Sequence, residues 1–83
     1  MMTKTTVIKK TVCFENKRYR LSYCLVKKDD IHYGIKVNCK YQNIIETEQI
    51  WVGNSYRDAM RLLYLFATET VFPVALKETW ENL

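Results

Sequence analysis

The chain is poor in backbone breakers. Pro73 is the only proline, and Gly34 and Gly53 are the only glycines in 83 residues. That scarcity excludes a Pro- or Gly-rich linker, and 83 residues make one domain, 1–83. Two isolated glycines also cannot build a phosphate-binding loop or a dinucleotide fingerprint. His32 is the only histidine, and Cys13, Cys24 and Cys39 are widely spaced with no Cys-x-x-Cys pair. A zinc site would lack soft ligands at workable spacing. No run approaches the ~20 apolar residues that cross a bilayer. The opening MMTKTTVIKK lacks the apolar stretch of a secretory leader. Reduced cytoplasmic thiols, packed as small hydrophobes, are the expected state.

Aromatic side chains are plentiful. Two Trp, six Tyr and three Phe supply more buriable surface than a disordered chain carries. Charge is unevenly placed. Residues 1–40 hold ten Lys or Arg against three acids, and residues 41–83 hold three against six. Such asymmetry fits a polyanion-binding half, or two halves that attract each other within an ordinary mixed surface.

Periodicity assigns strands to the first half and helices to the second. A first strand is predicted over Thr5–Phe14, with Ile8, Val12 and Phe14 on one face and Lys10 interrupting it. Asn16-Lys17 reads as a tight turn into a second strand, Arg18–Lys27. There Tyr19, Leu21, Tyr23 and Leu25 alternate with polar residues. This turn sets Phe14 opposite Tyr19 and Ile8 opposite Leu25, so the apolar faces agree. A Lys28-Asp29-Asp30 loop leads to a third strand, Ile31–Tyr41, and pairs Leu25 with Tyr33 and Leu21 with Val37. The reverse face then sets Cys24 opposite Gly34 and Arg18 opposite Lys40. A fourth strand, Ile44–Val52, has apolar residues in both phases; Trp51 is expected inward, with a bulge as the device that would bury both.

Ser55 is a predicted N-cap with Asp58 in the first turn. The helix extends to about Thr68, with Tyr56, Met60, Leu63 and Ala67 in one row, widened by Ala59, Leu62 and Phe66. Pro73 suits the first turn of a second helix over Val74–Asn82. There Leu76, Trp80 and Leu83 share a face. The expected fold is α+β: a four-stranded antiparallel meander covered on one face by a helix plus a short C-terminal helix, ββββαα.

The order of these features resembles a family of small bacterial proteins, mostly from Firmicutes, classed as a domain of unknown function. The matching pieces are Tyr33-Gly34-Ile35-Lys36-Val37, the acidic strand at Glu46–Glu48, Ser55 and Leu62-Leu63. Val71-Phe72-Pro73-Val74-Ala75-Leu76 follows, with Glu78 and Glu81 beyond it. The family tends to carry Ser before the proline, where this chain has Phe72. The resemblance implies a cytosolic bacterial or phage setting and brings no catalytic residues.

Candidate chemistry is thin. Cys24 and His32 are expected as diagonal neighbours, but no third residue orients the imidazole and no Gly-rich turn supplies an oxyanion hole. Asp29-Asp30 and Glu46/Glu48 are paired acids, and the first pair suits a hairpin tip. Two surfaces remain. Tyr64, Leu65, Phe72 and Trp80 exceed what one sheet covers. They predict a protein partner or a symmetric dimer, unless the C-terminal helix folds over them. Arg18, Arg20, Lys36, Lys40 and His32 share the sheet's outer face, where lysines serve phosphate contacts or edge protection. Base stacking there would need an aromatic, and only a slipped Trp51 could supply one. The expected function is therefore non-enzymatic binding of a macromolecule in the cytoplasm. A protein partner or self-association ranks first, with inhibition or regulation of a larger bacterial complex as one form. A nucleic-acid-associated module is the alternative. No cofactor, metal, small-molecule substrate or membrane contact is expected.

Overall fold

A computed structural model describes residues 6–83. Thr5, expected at the start of the first strand, and the rest of residues 1–5 of the opening segment lie outside the described residues. Four strands, β1 (Val7–Phe14), β2 (Lys17–Lys28), β3 (His32–Tyr41) and β4 (Ile44–Gly53), form one antiparallel sheet in the order β1-β2-β3-β4. Helix α1 (Tyr56–Thr68), a 3₁₀ turn (Pro73–Ala75) and helix α2 (Leu76–Glu81) follow. The fold is α+β, with both helices on one face of the meander, as expected. α1 packs on β1–β3, and α2 with the 3₁₀ turn packs on β4.

The loops differ from expectation by one residue each. Glu15 and Asn16 both have positive φ, 51° and 64°, the signature of a type I′ hairpin turn. The turn therefore precedes Lys17. Phe14 lies opposite Lys17, Val12 opposite Tyr19 and Ile8 opposite Tyr23. The second loop is Asp29-Asp30-Ile31, with both aspartates left-handed, and it sets Leu25 opposite Ile35 and Leu21 opposite Cys39. Each register moves by two residues from the expected pairing. An even shift keeps every side chain on its face. The core is accordingly built from Leu21, Tyr23, Leu25, Ile35, Val37, Cys39 and Ile50 of the sheet. Ala59, Leu63, Phe66, Ala67, Val71 and Leu76 close it from the helical side. Phe14 is the exception: next to the turn and beyond the helical roof, it is largely exposed.

Strand β4 corrects a second expectation. Trp51 faces outward. The two-residue loop Gln42-Asn43 places Tyr41 opposite Ile44, so Ile50 falls opposite Ile35 and is buried. Gly34 pairs with Trp51 and Tyr33 with Gly53, leaving Val52 as the extra residue of a bulge packed on the core margin. Glu46 and Glu48 share the inward phase at the sheet edge. Glu48 meets Lys77 of α2 at 3.7 Å.

Helix α1 begins as predicted, with the Asp58 N–H donating to Ser55 Oγ at 3.2 Å. It ends in a Schellman turn. Thr70 has φ 55°, its N–H donates to the Ala67 carbonyl, and the Val71 N–H donates to the Phe66 carbonyl. The last turn has no basic residue of its own. Lys10, which breaks the apolar row of β1, supplies one: its Nζ donates to the Ala67 carbonyl at 3.0 Å and to Thr70 Oγ1. A cation at that end complements the helix dipole. Tyr56 departs from its predicted row by being mostly exposed, its ring edge-on to Tyr33 at 5.7 Å.

Tyr23 ties the sheet to the chain leaving α1. Its hydroxyl donates to the Val71 carbonyl at 3.0 Å, and the side chain is fully buried. Burial, reinforced by Cys39, pushes the phenol up to about 12. The unfolded chain releases this proton first, near pH ~10. Stability from Tyr23 is therefore complete below pH ~10 and drains as pH rises toward the folded value. By pH ~11 the loss is about 1.4 kcal/mol. Urea unfolding of the natural chain and Tyr23→Phe at both pH values checks this. The variant starts about 1 kcal/mol less stable, with the Val71 carbonyl unpaired. It then declines less with pH, and parallel declines would refute the assignment.

Candidate functional site

The helices leave one face of the sheet open. Strand alternation puts Val7, Lys9, Thr11 and Cys13 of β1 on it, and the even-numbered residues from Arg18 to Lys28 of β2. From β3 come His32, Gly34, Lys36, Asn38 and Lys40, and from β4 Ile45, Thr47, Gln49 and Trp51. Six of these residues are Lys or Arg, and none is Asp or Glu. The carboxylates sit in turns, on the inward phase of β4 and on the helical side. Among the described residues the one ion pair is Lys77–Glu48, on the other side of the sheet. The open-face cations have no internal counter-charge.

The register concentrates this charge. Arg20 lies directly opposite Lys40, with Thr11 and Ile45 as their outer neighbours. Like charges directly opposite on one face repel. Nothing on the row relieves the pair. Arg18, Arg20 and Lys40, with Lys17, line a concavity of about 410 Å³ at the hairpin end of the sheet. A second concavity of about 430 Å³ continues along the face past Lys9, Ser22 and Asn38. Thr47 donates to Asn38 Oδ1 at 2.7 Å, which leaves the Asn38 amide N–H groups free of that bond.

The far end of the face is aromatic. Trp51 is 45% exposed and lies over Gly34. A Cβ at Gly34 would fall 2.7 Å from Trp51 Cε3 and 2.6 Å from the Ile50 carbonyl oxygen. The missing side chain is the seat of the indole. Lys28 Nζ stands 5.8 Å from its ring centroid, a cation–π contact.

The predicted residues fall out unevenly. Arg18, Arg20 and Lys40 come together; Lys36 is farther along β3, opposite Cys24; His32 is at the far end, opposite Lys28. Cys24 and His32 are thus not diagonal neighbours, because the observed register puts the Val26–Gly34 row between them. Burial pushes the Cys24 thiol up, opposed by Lys36 and Lys9, and a raised thiol is a poor nucleophile. Cys39 is buried on the opposite face, its thiol pushed up by burial and then by Glu46. No cluster of three His, Cys, Asp or Glu occurs among the described residues. Asp29 and Asp30 are turn residues.

On the helical side, Leu65 and Phe72 line one apolar groove together with Val74 and Leu83. Tyr64 and Trp80 are not part of it. Tyr64 is exposed on α1, and Trp80 is half-buried on α2. Phe72 heads the 3₁₀ turn without a side-chain cap and packs edge-on to Tyr19 at 5.6 Å. Lys9 stands on the basic face as expected, and Lys28, Trp51 and Val74 are additions to the expected sets. The Gly34–Trp51 pairing was the signal for Trp51, once β4 could be registered.

No helix among the described residues is long and apolar enough to cross a membrane. A profile described as "Family of unknown function (DUF6514)" matches residues 2–83, and the chain belongs to that family. No curated protein and no solved structure matches it.

Proposed function

We propose that this member of the family is a non-catalytic binding module that takes nucleic acid on the open face of its sheet. The observation carrying this reading is the row Arg20–Lys40: two cations held opposite each other, without a carboxylate on the whole face. An anionic partner would relieve that repulsion, and phosphates do so while releasing counterions. Lys9, Arg18 and Lys36 extend the charge on both sides of the row. Three free thiols support a reducing compartment, and the reading includes a cytoplasmic bacterial or phage setting.

Anisotropy of a labelled oligonucleotide tests it. If Arg18, Arg20, Lys36 and Lys40 each neutralise one phosphate, affinity falls roughly 50-fold between about 50 and about 200 mM salt. Salt-independent affinity, or no binding at the lower salt, would remove the proposal.

A second reading is association with a protein, as a symmetric dimer or as a regulator or inhibitor of a larger complex. The groove of Leu65, Phe72, Val74 and Leu83 favours it, with Val74 85% exposed. Such association should survive ~0.5 M salt, because apolar burial is not screened as phosphate contacts are.

A further inference from the structure

We infer that the open face selects single-stranded over duplex nucleic acid, with one base stacked on Trp51 and the backbone led across Lys36 and Lys40 to Arg20. This rests on the proposed function and narrows its ligand.

The first argument is width. Four strands about 4.8 Å apart span roughly 14 Å between the outer axes, before side chains are added. The major groove is about 12 Å wide and admits a helix or a two-stranded ribbon. This face cannot enter it, so a duplex could touch the cations only with its outer backbone. A single strand can lie flat on the sheet and turn its bases toward it.

The second argument is Trp51. On a basic face without a carboxylate, Trp51 is the one aromatic, 45% exposed, and Gly34 lets its ring lie close to the sheet. Lys28 Nζ lies over this ring, 5.8 Å from its centroid; a stacking base takes that place on the ring and leaves the ammonium to the adjoining phosphate. Stacking on such a ring is worth about 1–3 kcal/mol per base and is open to every base. Duplex bases are already stacked on each other and gain nothing from it.

The third argument is alignment. Along β3 the open-face positions run Gly34, Lys36, Asn38, Lys40. Trp51 covers the first, and Arg20 stands opposite the last. The six steps from Gly34 to Lys40 span about 20 Å. The path begins at an aromatic seat and ends at the unrelieved cation pair, with the Asn38 amide between them. Ligand chemistry follows from that order: an anionic backbone with a π-face at one end, not a simple polyanion.

The test uses the full chain carrying Trp80→Phe, so that Trp51 is the only indole. It is titrated at low salt with a short oligothymidylate, a duplex of equal length, and heparin as a polyanion without bases. Oligothymidylate should quench the Trp51 emission and bind at least tenfold more tightly than the duplex. Heparin should bind with little quenching. Read by anisotropy of labelled ligands, since no indole remains to report, Trp51→Ala should weaken oligothymidylate fivefold or more and leave heparin unchanged, a result that also reports an intact face. Trp51→Phe should restore most of the loss. Equal affinity for the duplex, or oligothymidylate binding without quenching, overturns the single-strand inference and leaves the charged face standing. Failure of all three ligands to bind overturns the proposed function beneath it.

Discussion

Lys40→Glu is expected to make the protein more stable and to weaken the hold of its open face on nucleic acid. The substitution converts the Arg20–Lys40 row from two like charges into an opposite pair. Cross-strand pairs of this kind contribute about 0.2–1 kcal/mol, so the melting temperature should rise by a few degrees. The same change removes one phosphate contact and places a carboxylate in its path. Affinity should fall on the order of tenfold at ~0.1 M salt, and the slope of affinity against salt should flatten by about 0.7. Adding Lys36→Glu should bring the loss to about a hundredfold while the fold survives. Thermal melts and salt titrations of the same samples check both halves. A lower melting temperature would mean that Lys40 is a structural residue, and unchanged affinity would mean that the face does not bind through it. A gain in stability with a loss of binding is the mark of charge kept for a ligand.

Gly34→Ala is expected to cost about 3 kcal/mol, the upper part of the usual overpacking range. Two atoms stand in the way of the new methyl: the Ile50 carbonyl oxygen and Trp51 Cε3. The indole could swing away at modest cost. The carbonyl belongs to the β3–β4 ladder and can move only with the strand. Relief of the conformational freedom that glycine loses in a strand recovers only about 0.5–1 kcal/mol. Urea unfolding measures the loss. Displacement of Trp51 should also shift its emission, so a spectroscopic change accompanies the destabilisation. Natural stability with an unmoved Trp51 spectrum would show that Gly34 is not the seat of the indole.

The fold was legible because period-two alternation tolerates even errors. Both early hairpin registers differ from expectation by two residues, yet Tyr19, Leu21, Tyr23, Leu25, Ile35 and Val37 stay on the covered side. Local turn chemistry was the harder part. Glu15 at a left-handed position is an uncommon choice, and Asn16 alone could not say which of its neighbours shares the turn. Strand β4 was ambiguous for a different reason. Its apolar residues occupy both phases, and hydrophobicity alone favours burying the largest one. What seats Trp51 on the open face is the missing side chain of Gly34 on the neighbouring strand, visible only after pairing. Two registers altered the site: that of β4 gave the expected basic face an aromatic end, and that of β2 on β3 cost Cys24 its proximity to His32. The helical patch was half legible, since Leu65 and Phe72 share a groove while Tyr64 and Trp80 stand apart from it.

The bond from Lys10 to the end of α1 has a kinetic meaning. Each hairpin closes between segments adjacent in the chain, so the sheet can assemble by short-range steps. Lys10 and Ala67 are 57 residues apart, and their bond forms only when the finished helix settles on the outermost strand. Contacts of that kind are absent from an early folding nucleus and act chiefly on the rate of unfolding. The lysine behaves as a latch: it does little to guide the chain into place and slows its departure.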